Sequence, residues 1–188
     1  MPAPAKLSLD VILDEASAIL HAKGLEAVTL RELASRLGVE APSLYRHTGP
    51  KPRLLAKMTL RLFRSQLDEI GPRATWQAWL SAFGRKLWQT QAAIPDCARL
   101  VLTTDFTDSE LAEMTGWATT ALGKHGVGGN DTLAMLLSVQ ASVLGLGGLA
   151  DGPSASLLRQ AVPFDDVFEA TLAVLIAGWE ARLSQAAA

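Results

Sequence analysis

The sequence predicts an all-α protein, with a small N-terminal group of three helices followed by a larger helical part. Three observations carry this. Apolar residues recur at intervals of three and four along the chain, the spacing that lines one face of a helix. No stretch alternates apolar and polar residues as a half-buried strand would. Breaks at Gly24, Gly38, Gly71-Pro72, Ile94-Pro95, Gly126–Gly129 and Asp151-Gly152-Pro153 divide the chain into segments of helical length. At 188 residues and 49% apolar, the chain can bury a sizeable core.

The elements follow in order. Leu9, Leu13, Ala16, Ile19 and Leu20 form one stripe, with Ser8 as N-cap and Gly24 as stop. Thr29-Leu30-Arg31-Glu32 has the form of a capping box. Its Thr hydroxyl takes the N–H of Glu32, and its Glu carboxylate reaches back to the N–H of Thr29. That helix ends at Gly38, whose missing Cβ permits a left-handed turn. Pro42 falls in the first turn of the next helix, where its missing N–H costs nothing. A long helix runs from Pro52 to about Glu69, with Leu55, Met58, Leu62 and Leu67 inward. Segments follow at about 75–92, 95–103, 108–124, 131–150 and 164–185.

The net charge of -2 hides an asymmetry. Residues 1–64 carry ten Lys/Arg against six Asp/Glu, and residues 65–188 carry seven against thirteen. Between Arg31 and Arg64 there are eight basic residues and two acidic ones. A basic front on an acidic body suits contact with a polyanion. The single Cys97 excludes an internal disulfide framework, and MPAPAKLSLD lacks the apolar core of a secretory signal. Both point to the cytoplasm. Thr132–Ala150 has no formal charge and is long enough to span a bilayer. It is interrupted by Thr132, Ser138, Gln140 and Ser142 and has no flanking Lys/Arg cluster, so it reads as a buried or interface helix, with no membrane contact.

The short helices around Gly38 make a helix-turn-helix. Ala34 is small where two helices cross. Leu33, Leu37, Val39 and Leu44 pack the pair onto the first helix. Ser43, Tyr45, Arg46 and His47 are then turned outward, and hydrogen-bonding and cationic side chains on an exposed short helix suit a DNA major groove.

The run GLEAVTLRELASRLGVEAPSLYRHTGPKPRLL, Gly24 to Leu55, resembles the DNA-binding domain of the tetracycline-repressor (TetR) family. The shared pattern is a Gly, a Thr-opened helix, L-G-V, a Ser/Thr-Leu-Tyr-x-His segment, and a Lys followed by a Leu pair. The resemblance is strong over residues 8–70. It continues more weakly through PDCARLVLTTDFTDSEL, which looks like the ligand domain of the tetracycline-responsive branch. It implies a homodimeric transcriptional regulator, usually a repressor, that binds double-stranded operator DNA and is released by a small-molecule effector. By position, Arg31, Pro42, Ser43, Tyr45, His47 and Lys51 match the family's DNA contacts. Arg31 reaches a guanine edge or a phosphate, while Tyr45, His47 and Lys51 hold phosphates and set register. Ala41 stands where the tetracycline repressors have Gln, so a base-reading amide gives way to a methyl contact and the operator should differ.

The resemblance also implies a pocket whose matching residues are Leu67, Phe83, Leu87, Val101, Thr104, Asp105, Trp117 and Gln140, a set suited to a flat hydrophobic ligand. Asp105 can instead be a helix cap beside Thr107. The tetracycline repressors hold a magnesium–drug chelate with His side chains. Here the histidines are His21, His47 and His125, and Val101 stands at the metal-binding position, so no metal and no cofactor are expected.

Dimerisation is read from the last two long helices. Ser138, Ala141, Ser142, Gly145 and Gly148 allow close helix approach, and Leu172, Leu175, Ile176 and Trp179 supply an apolar face. The expected division is residues 1–52 for DNA and 53–188 for ligand binding and dimerisation. The competing reading is a helical small-molecule-binding protein or enzyme without specific DNA binding. The sequence has no paired carboxylates at helical spacing in an apolar stretch, no metal-ligand cluster, no Gly-rich phosphate loop and no elbow serine to favour an enzyme.

Overall fold

The computed structural model describes residues 7–186. Among them ten α-helices run in the order α1 (Leu9–Lys23), α2 (Leu30–Leu37), α3 (Ala41–Thr48), α4 (Lys51–Ile70), α5 (Trp76–Ala93), α6 (Cys97–Thr103), α7 (Asp108–Gly123), α8 (Gly129–Asp151), α9 (Ala155–Ala161) and α10 (Phe164–Ala186), with a 3₁₀ turn at Leu25–Ala27 and no strand. The all-α expectation is met. Helix α9 was not foreseen.

The caps explain where the first helices begin. Ser8 Oγ accepts from Val11 N at 3.3 Å, and Thr29 Oγ1 accepts from Glu32 N at 3.1 Å. Only this half of the expected capping box forms. The Glu32 carboxylate turns outward to Lys23 Nζ at 2.9 Å and Arg36 Nε at 3.1 Å, where two cations compete better than one amide.

Contacts divide the chain into two compact units. The first comprises the residues up to Phe63 together with Ile94–Glu110, and the second comprises Arg64–Ala93 together with the residues from Leu111 onward. The core of the first is built from Ile12, Ala16 and Ile19 of α1, Leu33 of α2, Leu44 of α3, Leu54 and Met58 of α4, and Ile94, Cys97 and Leu100 at α6. Burial pushes the Cys97 thiol up to about 11, so it is held protonated and unreactive. Polar links add to this core. Thr59 and Thr104 hydroxyls lie 2.8 Å apart, Arg53 Nη1 donates to Asp105 O at 2.7 Å, and Arg53 pairs with Glu110.

In the second unit α5, α8 and α10 pack together. Trp79, Leu80, Phe83 and Leu87 of α5 are buried with Met135, Leu136, Val139 and Val143 of α8 and Phe168 and Leu172 of α10. Gly84 sets the approach of α5 to its neighbours: a Cβ there would lie 2.8 Å from Leu172 Cδ1 and 3.2 Å from Val139 Cγ1. Helix α8 has the length and hydropathy of a membrane span, yet only 28% of its most apolar window is buried within the chain. Its inner face rests on α5 and α10, and its outer face remains open.

Candidate nucleic-acid interface

The helix-turn-helix is positioned by a few buried residues. Leu33 and Leu44 are fully buried, Ala34 is 7% exposed, and Thr48 anchors the end of α3 by donating to Leu44 O at 3.1 Å. Gly38 has φ 64 and ψ 33, the left-handed geometry the turn between α2 and α3 requires. Its successor closes the turn, with Val39 N donating to Ala34 O at 3.1 Å. Pro42 lies in the first turn of α3 as expected.

With Leu44 and Thr48 inward, α3 presents Ala41, Pro42, Tyr45, Arg46 and His47 to solvent, and Ser43 is half-buried. Tyr45 is 54% exposed, an unusual state for the chain's one tyrosine and consistent with a contact made outside the fold. Arg46 Nη2 lies 3.4 Å from Ser43 Oγ, a long contact that either group can exchange for another partner. Arg31 is exposed on α2, and Lys51 is half-buried at the start of α4.

The cations of this region separate into two sets. Arg36 pairs with Glu15 and Glu32, Arg53 with Glu110, and Arg61 with Asp14, while Lys57 Nζ donates to His47 O at 2.9 Å. Among the described residues Arg31, Arg46 and Lys51 form no ion pair. The paired cations hold the unit together. The three without an ion pair sit on or beside α3, where they can meet an anion.

The residues expected at the effector fall in both units. In the second, Phe83 and Leu87 are buried, with the Phe83 ring stacked on Trp79 at 5.4 Å, while Leu67, Trp117 and Gln140 are half-buried. The Arg64 guanidinium lies 5.1 Å over the Trp117 ring. In the first unit Val101 is half-buried, Thr104 is bonded to Thr59 and to Leu100 O, and Asp105 is exposed. Thr107 caps α7, exchanging hydrogen bonds with Glu110 at 2.9 and 3.3 Å.

Of the residues expected at the dimer interface, Ala141, Gly145 and Gly148 are exposed on α8. Ser138 and Ser142 are half-buried, with Ser138 Oγ accepting from Trp179 Nε1 at 3.2 Å. Leu175 and Ile176 are half-buried, and Leu172 is buried against α5 of its own chain. Leu137, Leu149 and Val174, not among the expected interface residues, are 67%, 53% and 72% exposed. Their apolar type on the uncharged stretches of two long helices is the signal the sequence carries for them.

Residues 12–57 match the family described as bacterial regulatory proteins, tetR family. Over this segment the chain is similar to the tetR family. It is 33% identical over 78 residues to the class D tetracycline repressor of Escherichia coli, covering 40% of this chain and 36% of that protein. It is 30% identical over 111 residues to the class E tetracycline repressor of Escherichia coli, covering 58% and 53%. The matches thus span between about a third and about a half of these relatives' lengths. The fold extends further. The Streptomyces coelicolor TetR family protein ActR in complex with (S)-DNPA superposes with a TM-score of 0.70 at 25% identity, covering 95% of this chain and 98% of that one. A single-residue variant of TetR from Acinetobacter baumannii AYE in complex with minocycline superposes with a TM-score of 0.75 at 26% identity and the same coverage.

Proposed function

We propose that this chain is a ligand-responsive transcriptional repressor that binds a pseudo-palindromic operator as a homodimer, acts in the cytoplasm, and is released by a small, largely hydrophobic effector. The observation that carries the reading is the set Arg31, Arg46 and Lys51, none of them in an ion pair, around a recognition helix that exposes Tyr45 and His47. Residues 1–52 form the DNA-reading part. Ser43, Arg46 and Arg31 face base edges or phosphates, Ala41 and Pro42 make apolar contacts, and Tyr45, His47 and Lys51 hold the backbone. Relatives named as tetracycline repressors support the repressor role, and family structures holding (S)-DNPA and minocycline support a small-molecule effector. Within the second unit the effector contacts are Leu67, Phe83, Leu87, Trp117 and Gln140.

Dimerisation places Ala141, Gly145, Gly148, Leu137 and Leu149 of α8 and Val174 and Ala177 of α10 against the same residues of a second copy. The outward face of α8 supports this, because its stretch from Thr132 to Ala150 carries no charge and exposes Leu137 and Leu149, an apolar side that a second copy would cover.

The test is titration of fluorescent duplexes across a salt series. Operator affinity should fall steeply with salt, since bound Lys and Arg release counterions. Lys51→Ala should weaken all duplexes about equally and reduce the salt slope by about one, whereas Ser43→Ala should change the ranking of duplexes. Salt-independent binding, or an unaltered ranking for every α3 variant, would remove the assignment.

A further inference from the structure

Leu44 and Thr48 turn one side of α3 fully into the core. Helical geometry then sets Pro42 and Arg46, four residues apart, on the opposite and outermost side, with Tyr45 and His47 to the left and right of Arg46. A helix lying in the major groove turns its outermost side to the base edges and its flanks to the two phosphate ridges. Along the axis it is the N-terminal part of such a helix that meets base edges, and Arg46 stands in the last turn. Its side chain covers the distance. Arg46 Nη2 donates to Ser43 Oγ at 3.4 Å, so the guanidinium lies back beside the first turn, the direction in which helical side chains lean.

That turn has few polar groups of its own. Ala41 and Pro42 bring no side-chain donor or acceptor to it. Ser43 is half-buried and its backbone N–H donates to Glu40 O at 3.0 Å, which fixes the place of its hydroxyl. Arg46 is exposed and, among the described residues, forms no ion pair, so no carboxylate occupies its donors. A guanidinium is a fork of donors with no acceptor. In the major groove guanine alone offers it two neighbouring acceptors, O6 and N7. Adenine and cytosine each present an amino donor there, and thymine a methyl group beside its one acceptor.

We propose that Arg46 reads a guanine in each operator half-site by donating to its O6 and N7, with Ser43 as the positioning residue that keeps the guanidinium beside the first turn of α3. This rests on the operator-binding reading above and narrows it. Arg46 is a base contact and not a phosphate contact, and the donor that Ala41 does not supply comes from the far end of the same helix.

The experiment uses the full-length protein. Duplexes are selected from a random pool by the wild type, Arg46→Met, Arg46→Lys and Ser43→Ala. The wild-type winner is then titrated beside copies carrying adenine or 7-deazaguanine, which lacks the N7 acceptor, at the selected guanine. The wild type should enrich one guanine at a matching place in both half-sites and bind the adenine copy about tenfold or more weakly, with a smaller loss for 7-deazaguanine. Arg46→Met should keep the rest of the selected sequence, no longer select the guanine, and bind the three duplexes equally. Arg46→Lys should keep the wild-type salt dependence and lose most of the discrimination, because a point charge lacks the fork. Ser43→Ala should narrow the ratio of guanine to adenine affinity, and should leave it unchanged when added to Arg46→Met, a coupling that a merely structural role would not produce. An Arg46→Met protein that still selects the guanine overturns the proposal. So does one that weakens every duplex equally and lowers the salt slope by about one, the mark of a phosphate contact. Ser43→Ala acting equally in both backgrounds overturns the positioning role. A wild type that selects a shared sequence without the guanine overturns this proposal and leaves the repressor reading standing, whereas a pool with no shared sequence overturns both.

Discussion

Asp96 Oδ2 accepts a hydrogen bond from the backbone N–H of Leu25 at 2.8 Å, joining residues 71 positions apart. Asp96 itself is the one non-glycine residue with positive φ among those described, at 58°. A carboxylate held in the left-handed region fixes the start of α6 against the turn that follows α1, and the Arg99–Glu26 ion pair lies beside it. Asp96→Ala should therefore destabilise the protein by about 1–3 kcal/mol, from a lost charge-assisted bond, an orphaned amide and a Cβ-bearing residue left in strained geometry. Asp96→Asn keeps an acceptor and tolerates the backbone, so it should cost less. Urea unfolding midpoints give both values, and an Asn variant as damaged as the Ala variant would show that charge, not geometry, carries the contact.

Gly84 should be intolerant of any side chain. A methyl group at its Cβ position meets Leu172 Cδ1 and Cδ2 at 2.8 and 3.1 Å. Gly84→Ala is expected to cost about 1–3 kcal/mol through overpacking. Because the two tightest approaches are to Leu172, with Val139 Cγ1 next at 3.2 Å, Gly84→Ala with Leu172→Ala should lose less than the sum of the two single changes. Additive losses in a double-mutant cycle would place the strain elsewhere.

Acid should weaken the fold through Glu110. Burial resists its ionisation, but the Arg53 guanidinium and the Thr107 donors outweigh that and hold its carboxyl below the usual range. A depressed carboxylate contributes stability above its unfolded pKa and loses it as pH falls through the folded value. Unfolding free energy should thus decline as pH drops below about 4.3, the ordinary glutamate value. Glu110→Gln should be less stable at neutral pH and show a shallower decline, the two curves converging in acid. Parallel curves from neutral pH down into acid would contradict this.

The proposed dimer can be tested without disturbing the protomer. Gly145 is exposed, and no atom lies within 4 Å of where its Cβ would be, so Gly145→Asp leaves the chain's own packing intact. Placed at the centre of an interface, the unpaired charge should cost several kcal/mol of association energy. Sedimentation should find a dimeric wild type and a monomeric, fully helical variant. A wild type that sediments as a monomer at micromolar concentration would remove the interface.

Much of this architecture was legible in the sequence, because helical spacing and punctuation are local properties. Ser8, Thr29, Gly38 and Pro42 gave the starts and stops of the first three helices, and burying Leu33 and Leu44 was enough to turn Tyr45, Arg46 and His47 outward. Helix α9 escaped because seven residues between Pro153 and Pro163 are too few to display a helical period. The membership of α6 in the first unit was hidden because the partners of Asp96 and Arg99 lie more than seventy positions away. Leu172 was read as part of an outer apolar face. It lies inward because Gly84, which periodicity treats as neutral, opens space for it.

Selection of duplexes from a random pool by the full-length protein, followed by measurement of the winner against unselected DNA at physiological salt, tests the central claim most directly. The account predicts an enriched pseudo-palindrome whose half-site centres lie about 34–36 Å apart, one helical turn of DNA, bound at least about a thousandfold more tightly than random duplex. A pool that gains no shared sequence, or a winner bound no better than the starting DNA, would contradict it.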